Sequence, residues 1–340
     1  MKGLVAMSGG VDSTNVLLEY KKQGIDADGV IAKFHDMDLS GIPDAKAAAQ
    51  KIGSCLFVLD LREEFKKEVI GEFIEEYENL RTPNPCITCN RKLKFGILLD
   101  YAKENGYDFL ATGHYARIEK SGDEYLLKKA KDLKKDQTYM LWGIKKENLG
   151  FLRFPMGDVL KDEARENLLK EGIKNHAKKD SQDICFIPDG KYAEFIESYT
   201  GKTFKKGEFC DLEGKVLGEH KGLIRYTIGQ RKGLGLALPF PMYVTKLDKD
   251  KNRVILGVNE DLMSDTLTAK NVNWLSDNVY DGMEVMAKAR YAMQESEATV
   301  ELLNDNRIRV KFKEPQRAIT PGQSVVLYDG DTVLGGGLIE

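Results

Sequence analysis

Leu4-Val5-Ala6-Met7-Ser8-Gly9-Gly10-Val11-Asp12-Ser13 is the stretch whose reading decides the fold. Leu4 to Met7 is a short apolar run that reads as a buried strand, and from Thr14 to Tyr20 the apolar residues return with helical spacing. Between them, Gly9 and Gly10 allow a sharp turn and let backbone approach a ligand, because neither carries a Cβ. Ser13 is placed to cap the helix, whose first free N–H groups then point at any negative charge held in the loop. Strand, glycine turn and helix together make an anion cradle. The pattern is neither the dinucleotide fingerprint nor the Walker A loop, since it lacks their spacing and the Lys-Ser/Thr pair.

Outward from this loop, residues 1–115 alternate strand and helix. Strands are expected at Asp28–Phe34, Cys55–Asp60 and Phe109–Thr112. Helices are expected up to Ile52, along the Phe65, Val69, Ile70, Phe73, Ile74, Tyr77 face, and over Asn90–Asn105. Repeated βα units imply an α/β domain built on a doubly wound, Rossmann-like parallel sheet, with ligands at the carboxyl ends of its strands. Arg81 to Asn90 holds two prolines beside Cys86-Ile87-Thr88-Cys89 and reads as a stiff loop. A short helix from Tyr192 to Tyr199 closes this part. Glycine-rich sequence with short strands then predicts a small β-rich central domain, and turns such as Pro321-Gly322 and Asp329-Gly330 predict a C-terminal antiparallel β-barrel. The expected domains are 1–200, 201–263 and 264–340.

A chain of 340 residues with 42% hydrophobic and 31% charged residues is in the range of soluble globular proteins. No apolar run approaches a membrane span and Met1-Lys2-Gly3 opens no signal peptide, so a cytoplasmic location with no membrane partner is expected. The net charge of −3 neither suggests nor excludes a nucleic-acid partner, because binding needs only a local basic face. Lys128, Lys129, Lys131, Lys134, Lys135, Arg231 and Lys232 could supply one. Five unevenly spaced cysteines point to thiol or metal chemistry and not to a disulfide framework.

Ser8-Gly9-Gly10-Val11-Asp12-Ser13 resembles the pyrophosphate loop of the PP-loop ATPases, which split ATP between its α and β phosphates. Arg81–Pro85, Ala111–Tyr115, Lys135–Gln137, Asp180–Ile187, Thr227–Gly235, Pro321–Gln323 and Gly335–Gly337 follow in the order found in the tRNA-specific 2-thiouridylases, and the resemblance runs end to end. It implies that ATP adenylates the C2 oxygen of the wobble uridine in tRNAs for Lys, Glu and Gln, and that sulfur then displaces AMP. By the same resemblance Ala6, Met7, Ser8, Gly9, Gly10, Val11, Asp12 and Ser13 would hold ATP, with Ala32 and Gly113 near the adenosine. Asn84 and Cys86 would touch the base. His114, Lys135, Asp136, Gln137, Arg290, Tyr291 and Gln323 would contact tRNA, and Cys89 and Cys185 would be the reactive pair.

Many members carry Asp at position 86, whereas this chain has Cys86. Cys86, Cys89 and Cys185 make three thiolates, so sulfur could ride on an iron–sulfur (4Fe-4S) cluster with one open iron, or pass as a cysteine persulfide; zinc is a third use for such thiols. A cysteine desulfurase, a relay protein or free sulfide would be the donor. Asp12 beside phosphates suggests Mg2+ between them. Cys55 and Cys210 are expected in the core, and His176 and His220 at the surface. His35, at the rim, could be a ligand contact or a packing residue. Two other functions fit the loop: a PP-loop ligase amidating a small molecule, and a non-catalytic RNA-binding protein. Neither has a use for all three cysteines.

Overall fold

The computed structural model describes residues 1–36, 41–173, 184–187 and 190–340. His176, and residues 180–183 of the Asp180–Ile187 motif, lie outside the described residues. The N-terminal part contains strands β1 (Lys2–Ala6), β2 (Asp26–Lys33), β3 (Leu56–Asp60), β4 (Phe109–Ala111), β5 (Ala116–Ser121), β6 (Glu124–Lys129) and β7 (Leu152–Arg153). Five of them form a parallel sheet in the order β3-β2-β1-β4-β7. Alternate side chains enter opposite cores. Leu4, Val30 and Leu110 pack with Phe95, Leu98 and Leu99 of one helical layer. Val5, Ile31 and Ala111 pack with Leu17, Ala48 and Leu168 on the other face. Burial on both faces is why these strands read as continuous apolar runs. β7 has two residues, too few to leave a pattern in the sequence.

Two expectations about this layer are corrected. Cys55 is exposed, because β3 is an edge strand with open faces, Phe57 and Val58 being 42% and 45% exposed. The segment around Cys86 is helical and not a loop: Asn84 is the N-cap, its side chain accepting from Cys86 N at 3.2 Å, and Pro85 opens the helix Pro85–Thr88. Proline suits that position because its missing N–H would have had no helical partner there.

Beyond residue 200, β8 (Gly207–Cys210), β9 (Val216–His220), β10 (Tyr243–Asp248) and β11 (Arg253–Gly257) make a four-stranded sheet in the order β10-β11-β8-β9. Cys210 is buried there, as its apolar neighbours suggest. His220 is fully buried, against expectation. Its Nδ1 accepts from Gly222 N at 3.1 Å and its Nε2 donates to Asn252 O at 3.0 Å, so no ring nitrogen is left to need water.

The last six strands, β12 (Met263–Trp274), β13 (Met283–Lys288), β14 (Ser296–Leu303), β15 (Arg307–Arg317), β16 (Ser324–Asp329) and β17 (Thr332–Ile339), close into an antiparallel barrel through β12 and β17. Inward residues such as Val300, Val310, Val325 and Leu327 fill it. The β5–β6 hairpin of the N-terminal part joins the same sheet at Lys128, opposite Thr332. Among the described residues no helix is long and apolar enough to cross a membrane.

The barrel also grips the segment before the cysteines. Thr82 N donates to Pro321 O at 2.8 Å, and Gln323 Nε2 donates to Thr82 O at 2.6 Å. Gly322 sits between at φ +87, where an added Cβ would lie 2.8 Å from Thr82 N. Gly322→Val is therefore expected to leave the barrel folded yet free this segment. Limited proteolysis should then cut between residues 79 and 85 at least about tenfold faster, in keeping with the loss of the contacts that hold it closed.

Candidate nucleotide and thiol site

The strand order reverses direction between β1 and β4, and the carboxyl ends of β1, β2 and β4 surround a cavity of about 210 Å3 at that switch point. Ala6, Met7, Ser8, Asp12, Ser13, Ala32, Gly113 and His114 line it, so residues from three distant segments of sequence meet here. Helix α1 (Val11–Lys22) starts at the loop with Gly10 as its N-cap and no side-chain cap. Ser13, expected to cap the helix, instead accepts from Ser8 N at 3.1 Å, while its hydroxyl lies 3.2 Å from that of Ser8. The helix begins three residues earlier than a capping Ser13 would require, at Val11 and not at Thr14, so Ser13 braces the loop from inside. Gly113 closes the other wall: an added Cβ would lie 2.8 Å from Ser13 N.

Asp12 accepts two hydrogen bonds of 2.8 Å from Lys161 Nζ and one of 2.9 Å from the Tyr115 hydroxyl. Lys161 stands 149 residues away in sequence, and nothing local marks it. It brings a cation to the place where phosphate charge would lie. Asp12 is the one carboxylate among the described lining residues.

Several residues expected at the RNA hold the protein's own backbone. Asp136 accepts from Ala130 N at 3.0 Å and from the Thr138 hydroxyl at 2.6 Å. Gln137 accepts from Tyr115 N at 2.9 Å and also lines the cavity. Arg290 donates to Ile228 O at 3.0 Å and to the Thr320 hydroxyl, tying the central sheet to the barrel. Tyr291 is 43% exposed, with the Lys288 ammonium 5.5 Å from its ring centre. In the basic run, Lys128 pairs with Glu119 at 3.0 Å, Lys129 with Glu295 at 2.6 Å and Lys131 with Asp158 at 3.0 Å. Arg231 and Lys232 are exposed.

Cys86 is exposed and Cys89 half-buried, one helical turn further on. Burial pushes the Cys89 thiol up to about 11, with the Lys94 ammonium pulling the other way. Cys185 is exposed; its neighbours Ile184, Phe186 and Ile187 join Phe65, Phe73, Leu93 and Cys89 in one apolar cluster. Among the described residues no three Cys, His, Asp or Glu side chains converge as a metal site. The three-thiolate donor set of a cluster is therefore not assembled. His35 also faces this region, its ring 5.7 Å from that of Phe65 and both its buried nitrogens without a partner among the described residues.

The helix with the two cysteines continues into the cavity wall as Lys94 and Leu98, so the nucleotide cavity and the thiols share one element. Family models match along the whole chain: a tRNA methyl transferase HUP domain over residues 1–189, a tRNA methyl transferase PRC-barrel domain over 193–258, and an aminomethyltransferase beta-barrel domain over 264–339. Proteins named tRNA-specific 2-thiouridylase MnmA are 46% identical in Halothermothrix orenii, over 99% of this chain and 98% of theirs, and 45% identical in Clostridioides difficile, over 100% and 98%. A further one from Clostridium botulinum is 45% identical over 100% and 99%. This chain belongs to the tRNA-specific 2-thiouridylase family. Membership of this family supports the use of ATP.

His114 follows β4 and packs between Phe95 and Phe154, ring centres 5.6 and 5.9 Å away, with Nδ1 2.7 Å from the Thr112 hydroxyl. Burial, aided by Lys94, holds it well below the ordinary histidine value of 6.5. The unfolded chain then binds a proton that the folded one refuses, so this contribution to stability is intact above pH 6.5 and is lost as pH falls below it. Urea unfolding of wild type and His114→Gln is expected to diverge below that pH, wild type losing about 1.4 kcal/mol more per pH unit. Parallel stability curves would refute the assignment.

Proposed function

We propose that this chain converts the wobble uridine of tRNAs for Lys, Glu and Gln to 2-thiouridine at the expense of ATP. The observation that supports it most is that one helix supplies both the thiols and part of the nucleotide cavity's wall. ATP lies with its β and γ phosphates on Ser8–Ser13 and its adenosine toward Ala32 and Gly113. Asp12, the carboxylate that lines the cavity, would be the residue to hold a Mg2+ ion, which would neutralise phosphate charge there. The uracil O2 attacks the α-phosphorus, an O2–P bond forms, and pyrophosphate leaves with the electrons of the broken P–O bond. This turns a poor leaving oxygen into part of AMP.

Sulfur is carried as a persulfide on the Cys89/Cys185 pair, loaded by an external persulfide donor whose outer sulfur passes to the cysteine thiolate as the donor's own thiolate leaves. Its terminal sulfur attacks C2, and AMP departs with the original oxygen. The second cysteine, as thiolate, then attacks the sulfur of the carrier cysteine and releases 2-thiouridine. A Cys89–Cys185 disulfide remains, and a thiol reductant resets it. No step passes through a cluster, because the donor set does not converge among the described residues. Uracil must leave the anticodon stack to reach this rim, which gives the barrel and the exposed Tyr291 a use as RNA surface. The domain descriptions speak of methyl transfer, a reaction with no use for a pyrophosphate loop or for these cysteines.

Two experiments test this reading. With ATP and unmodified tRNA, the protein is expected to release pyrophosphate only when tRNA is present, and Cys185→Ala should keep that release while mass spectrometry of digested tRNA finds no 2-thiouridine. Pyrophosphate release indifferent to tRNA would overturn the function. For the carrier, protein purified without oxygen is expected to hold no stoichiometric iron, and Cys86→Asp to keep thiolation within about threefold, since a carboxylate harms a cluster and spares a persulfide. Activity that tracks four irons per chain and vanishes in Cys86→Asp would show the cluster route instead.

A further inference from the structure

The helix that carries the thiols changes its winding at Cys89. Pro85–Thr88 is α-helical, whereas Cys89–Ile97 is a π-helix, with the N–H of Leu98 donating to the carbonyl of Leu93 five residues back. In an α-helix, Lys94 would stand about 140° round the axis from Cys89, at roughly 3.6 residues per turn. Winding with i→i+5 bonds returns the fifth residue toward the side of the first, and such turns are frequent at functional sites. Lys94 consequently looks the way Cys89 looks. It lines the cavity together with Ser8, Ser13, Gly113 and His114.

Its charge is also unspent. Lys92 is held by Glu68 at 2.8 Å and Glu72 at 3.1 Å, and Lys161 by Asp12 at 2.8 Å. Lys94 has no ion pair among the described residues, although its side chain is only partly exposed. An ammonium held in a half-dry cavity without a counter-ion is a site for an anionic ligand.

We propose that Lys94 is a catalytic residue of the transfer, its ammonium contacting the α-phosphate of ATP. The inference rests on the function proposed above. Ser8–Ser13 takes the β and γ phosphates and Ala32 marks the adenosine, so a group entering from the thiol helix meets what lies between them. Negative charge grows on the α-phosphate's oxygens twice. It grows first when O2 attacks and the bond to pyrophosphate breaks, and again when sulfur attacks C2 and the C2–O2 bond breaks to release AMP. One fixed cation serves both steps and transfers no proton.

Lys94→Met keeps the length and apolar stem of the side chain and removes the charge; Lys94→Arg keeps the charge. With ATP and tRNA, Lys94→Met is expected to lower kcat for pyrophosphate release on the order of 100-fold with the KM for ATP changed less than about fivefold, the mark of a contact made in the transition state. Lys94→Arg should recover at least about tenfold of that loss, and the melting temperature of both variants should stay within about two degrees of wild type. Lys94→Met turning over within about threefold of wild type would overturn the inference, and so would a loss confined to KM or failure of Lys94→Arg to recover activity. A wild type without tRNA-dependent pyrophosphate release would instead overturn the function on which it rests.

Discussion

Two hydrogen bonds on the backbone of Thr82 set the geometry on which the site depends. One comes from Thr82 N to Pro321 O, the other from the Gln323 amide to Thr82 O. Each is worth about 1 kcal/mol net. Their effect is larger in position than in energy, because Asn84, two residues on, caps the helix that bears Cys86 and Cys89. The same junction receives the central sheet, where the Thr227 hydroxyl lies 3.4 Å from that of Thr82 and Arg290 spans Ile228 and Thr320. Three sequence motifs far apart along the chain, Thr82 and Gln323 being 241 positions from one another, are thus one structural joint.

Behind the joint, the site is arranged for chemistry that water would spoil. Cys89 is kept as a thiol by desolvation, and His114 is kept neutral between two aromatic rings. In the reaction proposed above, a persulfide competing with water for an adenylated carbon would gain from such surroundings, since hydrolysis would only return uridine. Among the described residues, Lys94 lines the cradle and Lys161 reaches it through Asp12, each bringing fixed positive charge to where phosphate would lie.

Local pattern carried most of the architecture. The strand-loop-helix around Ser8–Ser13 and the alternating β-rich end were legible because each is specified by residues within a few positions of one another. What stayed hidden depended on partners far along the chain. Lys161 carries no sign that it meets Asp12, and the two residues of β7 are too few for a period. Lys94 was illegible for another reason: its orientation follows from π winding, and helical spacing counted at 3.6 residues per turn assigns it to the wrong side. Within 81–90 the loop reading holds for residues 81–84, while 85–90 were misread because both prolines were weighed as breakers and Pro85 acts as a starter. Asp136, Gln137 and Gln323, which the resemblance led one to expect at the RNA, have side chains engaged with the protein's own backbone in this fold.

The shared sheet has a consequence for how the molecule comes into being. Lys128 in β6 waits for Thr332 in β17, 204 positions later by subtraction of the two numbers. At about 5–20 residues per second, the ribosome would deliver that strand roughly 10–40 seconds after the hairpin has emerged. The barrel seam between β12 and β17 waits for the same strand. Until then the N-terminal part can collapse around its own sheet, but its hairpin edge stays open and the clamp on Thr82 has nothing behind it. A chain lacking β17 would have no closed barrel behind the clamp on Thr82. The strand that closes the barrel follows every other described strand in the chain, so this clamp is among the last contacts that synthesis allows.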